Sequence, residues 1–270
     1  MPELPEVEVT RLGVAPVVTG RRASGAACRV PALRYPLPAD LDRRLTGQVV
    51  REVRRRGKYL LFHFDGGRLL LHLGMSGSLR LLPAGTPAGK HDHVDLLFED
   101  EILRLTDPRR FGSLLWLDPE PAGHPLLDVL GIEPLGEAFT GDWLHGALAG
   151  RRGPVKPAIM DSHLVVGIGN IYAAESLFRA GIDPRRAAGR ISRDRCGRLA
   201  DAVRGILAAA ISAGGSSLRD FIGSDGEKGY FQQTYFVYGR AGEPCRACGD
   251  PIRQVRQAGR TTCFCPRCQR

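Results

Sequence analysis

The sequence predicts an α+β protein with a strand-rich first half, a helical second half and a small cysteine-rich unit at the C-terminal end. Three observations carry this. Between about 47 and 117 short apolar stretches are separated by turn clusters, beyond 137 the apolar residues recur at helical spacing, and five of seven cysteines fall after residue 244. Strands first and helices second is the pattern of segregated α+β architecture or of separate domains. A chain of 270 residues exceeds what one core usually serves, so two or more domains are expected.

Residues 3–18 place Val7, Val9, Leu12, Val14 and Val17 among charged residues, compatible with a helix starting just after the N-terminus. Tyr59-Leu60-Leu61-Phe62 and Leu69-Leu70-Leu71 flank the turn cluster Asp65-Gly66-Gly67, and further strands are expected at 78–82, 93–98, 102–106 and 112–117. Short strands at this spacing indicate an antiparallel sandwich or barrel. After the Pro- and Gly-rich stretch 118–137 the helical pattern is clearest from Ser192 to Gly214, where Leu199, Val203, Ile206, Leu207 and Ala210 share one face. Ser192 suits the N-cap and Gly214-Gly215 the stop. The low-hydrophobicity segment Ser216 to Lys228 leads to the last unit. The expected divisions are 1–130, 131–236 and 237–270.

Hydrophobic residues at 43% and charged residues at 25% exclude wholesale disorder, collagen-like repeats and coiled coil. No apolar run reaches the roughly 18 residues of a membrane span, and acids stand near the N-terminus where a signal peptide carries Lys or Arg. No membrane partner and a cytoplasmic location are therefore expected. The net charge of +9 attracts polyanions, nucleic acid first among them. Of 38 basic side chains only Lys58, Lys90, Lys156 and Lys228 are lysines. The arginine excess matches a chain rich in Ala and Gly and says little; an amine that can lose its proton is the rarer resource here.

Cys245-x2-Cys248, sixteen residues, then Cys265-x2-Cys268 has the spacing of a four-thiolate zinc ribbon, in which each pair forms a knuckle and the metal closes a unit too small to fold alone. The competing readings are a redox pair, or Cys263 replacing Cys265 at the cost of the symmetric spacing. Cys28, Cys196 and Cys263 are otherwise spare or core thiols. Such a ribbon has no open coordination position, so one Zn2+ here holds shape. Arg253, Arg256 and Arg260 lie between the knuckles, and Gly259 with Thr261-Thr262 suggests an exposed turn that aims Arg260 at phosphate.

Met1-Pro2-Glu3-Leu4-Pro5-Glu6-Val7-Glu8 at one terminus and the ribbon with Gly259-Arg260-Thr261-Thr262 at the other resemble the formamidopyrimidine-DNA glycosylase family. The interior agrees at Gly57-Lys58-Tyr59-Leu60-Leu61, His72-Leu73-Gly74-Met75-Ser76-Gly77, His91-Asp92-His93-Val94, Asp107-Pro108-Arg109-Arg110-Phe111-Gly112 and Gly167-Ile168-Gly169-Asn170-Ile171-Tyr172. The resemblance spans essentially the whole chain. It implies an N-terminal β-sandwich with a flanking helix, a helix-two-turn-helix domain and a zinc ribbon, with damaged double-stranded DNA held across the cleft between domains by a monomer.

The resemblance also implies roles. Removal of Met1 would leave Pro2 as a secondary amine, and α-amino groups titrate near about 7.7–8.0, so a useful fraction is neutral and nucleophilic. Attack on the sugar C1′ expels the damaged base, and β,δ-elimination cuts the strand. Glu3 is the implied acid/base and Glu6 a supporting carboxylate; Lys58 matches the family's strand lysine and Arg260 the hairpin arginine that assists elimination. An everted base leaves a hole in the duplex, which Met75, Arg109 and Phe111 would fill. Phosphate contact falls to His91, Arg110, Arg151, Lys156, Asn170 and Tyr238, with Arg109 also touching DNA. His91 and His93, at period two on one strand face, lack a third ligand for a metal. The start Leu4-Pro5-Glu6 and the segment Ser216 to Tyr230, which resembles a loop that closes over 8-oxoguanine, favour oxidised purines over the pyrimidines preferred by the endonuclease VIII branch. That segment departs from the family at Glu227-Lys228, where relatives often carry Lys-Pro. A lesion-binding protein without catalysis is the reading from another class.

Overall fold

The computed structural model describes residues 1–119, 123–216 and 231–270. The segment expected to close over the lesion lies, beyond Ser216, outside the described residues. The chain divides into two compact units, Met1–Asp128 with Ala213–Gln232, and Val129–Ser212 with Gln233–Arg270. Among the described residues no helix is long and apolar enough to cross a membrane.

The first unit opens on α1 (Leu4–Val18), whose first turn tolerates Pro5 because the missing N–H has no helical partner there. Two antiparallel sheets follow. One has the order β1 (Gly25–Cys28), β6 (Asp92–Leu97), β7 (Glu101–Thr106), β5 (Ser78–Pro83); the other runs β2 (Glu52–Arg56), β3 (Tyr59–Phe64), β4 (Gly67–His72), β8 (Ser113–Leu117). The sheets share no strand, so the expected choice of sandwich or barrel resolves to a sandwich. Leu60, Phe62, Leu69, Leu71 and Leu114 from the second sheet meet Leu79, Val94, Leu96, Leu103 and Leu105 from the first, with Val7, Val14 and Val18 of α1 in the same core. On the other face of the second sheet, Leu61, Leu70 and Leu117 pack with Leu126 and Leu127 of the short helix α3 (Pro125–Asp128). That sheet is buried on both faces, which is why its strands read as unbroken apolar runs. A five-residue helix, α2 (Leu41–Leu45), packs beside β1.

The register places two connections side by side. Partners His72 and Ser113 end β4 and begin β8, while partners Ser78 and Thr106 begin β5 and end β7. The links 73–77 and 107–112 therefore both cross from sheet to sheet at the same end of the sandwich.

In the second unit Thr140 caps α4 (Gly141–Leu148), its hydroxyl accepting the Trp143 N–H at 3.0 Å. A short α5 (Val155–Ile159) is followed by two turns and α6 (Asn170–Arg179), then by α7 (Arg193–Ser212), whose Leu199, Val203, Ile206, Leu207 and Ala210 are all buried. The unit ends in a hairpin, β9 (Arg253–Gln257) and β10 (Arg260–Phe264).

Candidate active site and metal centre

Pro2, Glu3 and Glu6 are buried at the N-terminal end of α1. Glu3 is the N-cap residue, and Glu6, one turn on, accepts its backbone N–H at 2.8 Å through Oε2. The other Glu6 oxygen accepts the Ser216 N–H at 2.8 Å. A carboxylate this buried is costly unless hydrogen-bonded, and both its oxygens are engaged.

Lys58, expected on a strand, is instead the second residue of the two-residue turn joining β2 to β3, between the partners Arg56 and Tyr59. Gly57, with φ +57, supplies the positive dihedral that a type II′ turn needs at its first position. The turn is tied to α1 by Arg55, which donates to Glu8 at 2.8 Å and to the Gly57 carbonyl at 3.0 Å.

The sheet-to-sheet links carry the three expected space-filling side chains. Met75 is 38% exposed and Phe111 46%, and the Arg109 guanidinium lies 4.8 Å from the Phe111 ring centroid. Arg110, exposed like Arg109, has φ +54, a left-handed conformation that costs a non-glycine residue about 1 kcal/mol or more. His72 closes β4 with its Nδ1 accepting the Gly74 N–H at 2.9 Å and its ring 4.9 Å from that of Tyr59. Burial, with Lys58 and Arg34 nearby, pushes His72 down to about 4, so it is a neutral acceptor. The His91 and His93 rings lie on one side as expected, 6.5 Å apart and edge to face, although His91 is not itself in a strand. His91 precedes β6, the register shifts between Asp92 and Val94, and His93 is buried with Nε2 2.9 Å from the Asp107 carbonyl.

In the second unit Lys156 is 2% exposed; its Nζ donates to Thr262 Oγ1 at 2.9 Å and to Asn170 Oδ1. Asn170, the first residue of α6, donates through Nδ2 to the Thr261 carbonyl at 3.1 Å. These contacts fasten the β9–β10 hairpin to the two-turn segment. The hairpin turns at Ala258-Gly259, both at positive φ (+45 and +75), and leaves Arg260 exposed just beyond it. Arg151 is exposed, 3.6 Å from an Asp161 oxygen. Tyr238 is set by Glu175, a buried carboxylate of α6 that accepts the N–H groups of Phe236, Val237 and Tyr238 at 2.8–3.0 Å. Burial pushes the Glu175 carboxyl up, against the opposing pull of those three donors.

Cys245, Cys248, Cys265 and Cys268 bring their sulfurs within 4.8 Å of one another, with Cys248 and Cys265 3.5 Å apart and Cys245 and Cys268 3.9 Å apart. Thiolates at about 2.3 Å around a tetrahedral zinc stand roughly 3.8 Å apart, so the donor set and its spacing fit one structural Zn2+. Cys263 is buried on β10 outside that set, which removes the alternative ligand reading.

A β-sandwich followed by a two-turn helical unit and a four-thiolate ribbon, with buried carboxylates opening its first helix, defines a helix-two-turn-helix protein of the DNA-repair type. Residues 1–114 match the formamidopyrimidine-DNA glycosylase N-terminal domain, 130–222 the formamidopyrimidine-DNA glycosylase H2TH domain, and 242–270 the zinc finger found in FPG and IleRS. A formamidopyrimidine-DNA glycosylase of Paraburkholderia phytofirmans is 58% identical over 277 residues, covering 100% of both chains. The crystal structure of the MutM (Fpg) protein from Thermus thermophilus aligns with a TM-score of 0.88 at 42% identity over 99% of this chain and 98% of that one. A structure of MutM in complex with carbocyclic 8-oxo-G-containing DNA aligns at 0.91, with 35% identity and 100% coverage of both. The chain belongs to the formamidopyrimidine-DNA glycosylase family.

Within the first unit the structure gathers Pro2, Glu3 and Glu6 at one helix end and Met75, Arg109 and Phe111 on paired links. Within the second it gathers Lys156 and Asn170 behind the hairpin that carries Arg260. Sequence reasoning assigned no role to Arg55, His72 or Glu175. The buried charge of Glu175 leaves no signal beyond its place among the apolar residues of α6, whereas His72 and Ser76 lie in the motif His72-Leu73-Gly74-Met75-Ser76-Gly77, whose spacing alone gives them no geometry.

Proposed function

We propose that Pro2, freed of Met1, is the nucleophile of a bifunctional DNA glycosylase and abasic-site lyase that removes oxidised purines in base-excision repair. Family membership supports the activity and the zinc-bearing architecture. The reading of individual residues rests on the N-terminal end of α1, where buried Pro2 stands beside buried Glu3 and one turn before buried Glu6.

The neutral Pro2 nitrogen adds to C1′ as the C1′–base bond breaks, and the proton that the nitrogen gives up leaves with the base. The Glu3 carboxyl protonates the sugar oxygen as the ring opens, leaving an iminium at C1′. Loss of a C2′ proton breaks the C3′–O bond, and a further proton loss breaks the C5′–O bond, so both phosphates leave. Glu6 holds the Glu3 backbone, and Lys58 and Arg260 bind phosphate and steady the leaving groups. His91, Arg109, Arg110, Arg151, Lys156, Asn170 and Tyr238 are the further DNA contacts, and Met75, Arg109 and Phe111 fill the space vacated by the everted nucleoside. The four cysteines would hold zinc, which supplies shape and no chemistry. The protein is read as a cytoplasmic monomer that meets the nucleoid through DNA.

The test is incubation with duplex containing 8-oxoguanine opposite cytosine in the presence of borohydride, using protein whose intact mass shows that Met1 is gone. A covalent adduct mapped to Pro2 is expected, and it should vanish in Pro2→Gly. Excision and nicking by Pro2→Gly at the parental rate would overturn the mechanism. Faster excision of oxidised pyrimidines than of 8-oxoguanine would move the protein to the endonuclease VIII specificity.

A further inference from the structure

Asp107 begins the link that leaves β7 and is 0% exposed. Its Oδ1 accepts the Ser76 hydroxyl at 3.0 Å and the Arg109 N–H at 3.3 Å, and its Oδ2 accepts the Gly112 N–H at 2.7 Å. The Asp107 backbone joins the same cluster: its carbonyl accepts the Arg110 N–H at 3.2 Å and its N–H donates to the His91 carbonyl at 3.0 Å. One carboxylate therefore binds a residue next to Met75 on one link and residues on either side of Phe111 on the other.

The two links also touch through their backbones. Gly74 has φ +65, and a Cβ there would fall 2.4 Å from the Gly112 nitrogen and the Phe111 carbonyl carbon. Only glycine permits both that dihedral and that approach. Beyond this joined base three large side chains project into solvent: Met75, Arg109 and Phe111. Exposed apolar side chains on loops ordinarily sample many rotamers and backbone positions, and that freedom is lost on insertion into a base stack. Fixing the two links to each other beforehand removes part of that loss.

We propose that Asp107, acting through Ser76 on one side and Gly112 on the other, is a positioning residue that locks the two links into one wedge, so that Met75 and Arg109 enter the duplex as a coupled pair. The proposal rests on the reading of these side chains as space-filling. Asp107 touches neither the sugar nor the base and acts through the groups it holds.

The test is a double-mutant cycle. Single-turnover excision from duplex containing 8-oxoguanine opposite cytosine is measured for Met75→Ala, Arg109→Ala and the pair, first in the parent and then with Ser76→Ala. In the parent the pair should lose less than the product of the single losses, by at least about threefold. With Ser76→Ala, which removes the side-chain tie between the loops and leaves the Gly112 contact and the Gly74 backbone approach intact, the coupling should fall and the losses move toward multiplying. Asp107→Asn, whose amide cannot accept from both sides, should behave likewise. A general loss of folded protein cancels from a ratio of ratios, so a purely structural role would leave the coupling unchanged. Equal coupling with and without Ser76, or multiplicative losses in the parent, would overturn the proposal. A parent that excises but is indifferent to Met75→Ala and Arg109→Ala would overturn the wedge with it, whereas a parent that excises nothing would refute the activity itself.

Discussion

Glu6 and Ser216, 210 residues apart in the chain, are joined by a hydrogen bond of 2.8 Å from the Ser216 N–H to Glu6 Oε1. The second oxygen of the same carboxylate holds the Glu3 N–H. One side chain thus fixes both the helix end that carries the proposed nucleophile and the point where the chain enters the segment after Ser216.

Glu6→Gln keeps the shape and removes this double acceptance. A glutamine has one acceptor oxygen, so its amide nitrogen must face either the Glu3 or the Ser216 N–H, donor against donor. The buried mismatch should cost about 1–3 kcal/mol. Single-turnover excision should fall roughly 10–100-fold, since each 1.36 kcal/mol is a factor of ten when the displaced group belongs to the reacting constellation. Parental excision kinetics in Glu6→Gln would show that the carboxylate only caps the helix.

His72 gives the sandwich a pH dependence of defined sign. Its folded value of about 4 lies below the ordinary 6.5, because burial and the Lys58 and Arg34 charges penalise the cation. The contribution is therefore complete above pH 6.5 and is lost as pH falls from 6.5 through 4, approaching about 3 kcal/mol. His63 is also pushed down, so the informative quantity is the difference between parent and variant. Urea unfolding followed by Trp116 fluorescence in a Trp143→Phe background should weaken markedly between pH 7.5 and 5. His72→Gln should lose much of that slope; an unchanged slope would place His72 outside the stability balance.

The parts legible in the sequence were those written in local spacing. The knuckles need only Cys245-x2-Cys248 and its repeat, and α7 needs only apolar residues three and four apart. The sandwich was foreseen as runs separated by turns, because a strand buried on both faces, such as β3, cannot be mistaken for a solvated one. What sequence periodicity could not supply were pairings set by topology. Asp107 with Ser76, Lys156 with Thr262 and Glu6 with Ser216 meet only after the sheets and helices have packed. Lys58, which the resemblance puts on a strand, lies in the turn just before β3, as Gly57 beside it and a strand read from Tyr59 onward already indicate. A resemblance carries a residue to its neighbourhood but not to one side or the other of a turn.

Zinc removal should act locally. The hairpin is fastened by Lys156 to Thr262 and by Asn170 to Thr261, whereas its two knuckles meet through a small apolar cluster and an exposed Arg267–Asp250 ion pair, so the metal would be their main closure. Chelation, or Cys245→Ser, should abolish hydrogen-exchange protection of the β9–β10 amides while β3 and β4 keep theirs. Affinity for lesion duplex should drop at least about tenfold, since Arg260 loses its support. Protected β9–β10 amides in zinc-free protein would contradict the structural role of the metal.

Arg260 is read as a phosphate contact, and that reading has a signature distinct from general weakening. Each phosphate neutralised on duplex DNA adds about 0.9 to the slope of log affinity against log salt. Arg260→Ala should therefore bind more weakly at low salt and show a slope shallower by roughly one, with little change in base preference. A parallel line displaced downward would mean that Arg260 acts through hairpin shape and touches no phosphate.

The turn that presents Arg260 offers a gain of stability. Ala258 and Gly259 both have positive φ, as a type I′ turn between the partners Gln257 and Arg260 requires, yet alanine is a poor occupant of the left-handed region. Asparagine tolerates that region through its short polar side chain, and Asn-Gly is the favoured pair for this turn. A Cβ is already present at 258, so Ala258→Asn adds no unfolded-state freedom of the kind a glycine would bring. The ribbon should gain about 0.5–1 kcal/mol, read as slower exchange of the Thr262 and Cys263 amides in zinc-loaded protein. Faster exchange would mean that the neighbouring backbone, and not the residue type, sets the geometry of the turn.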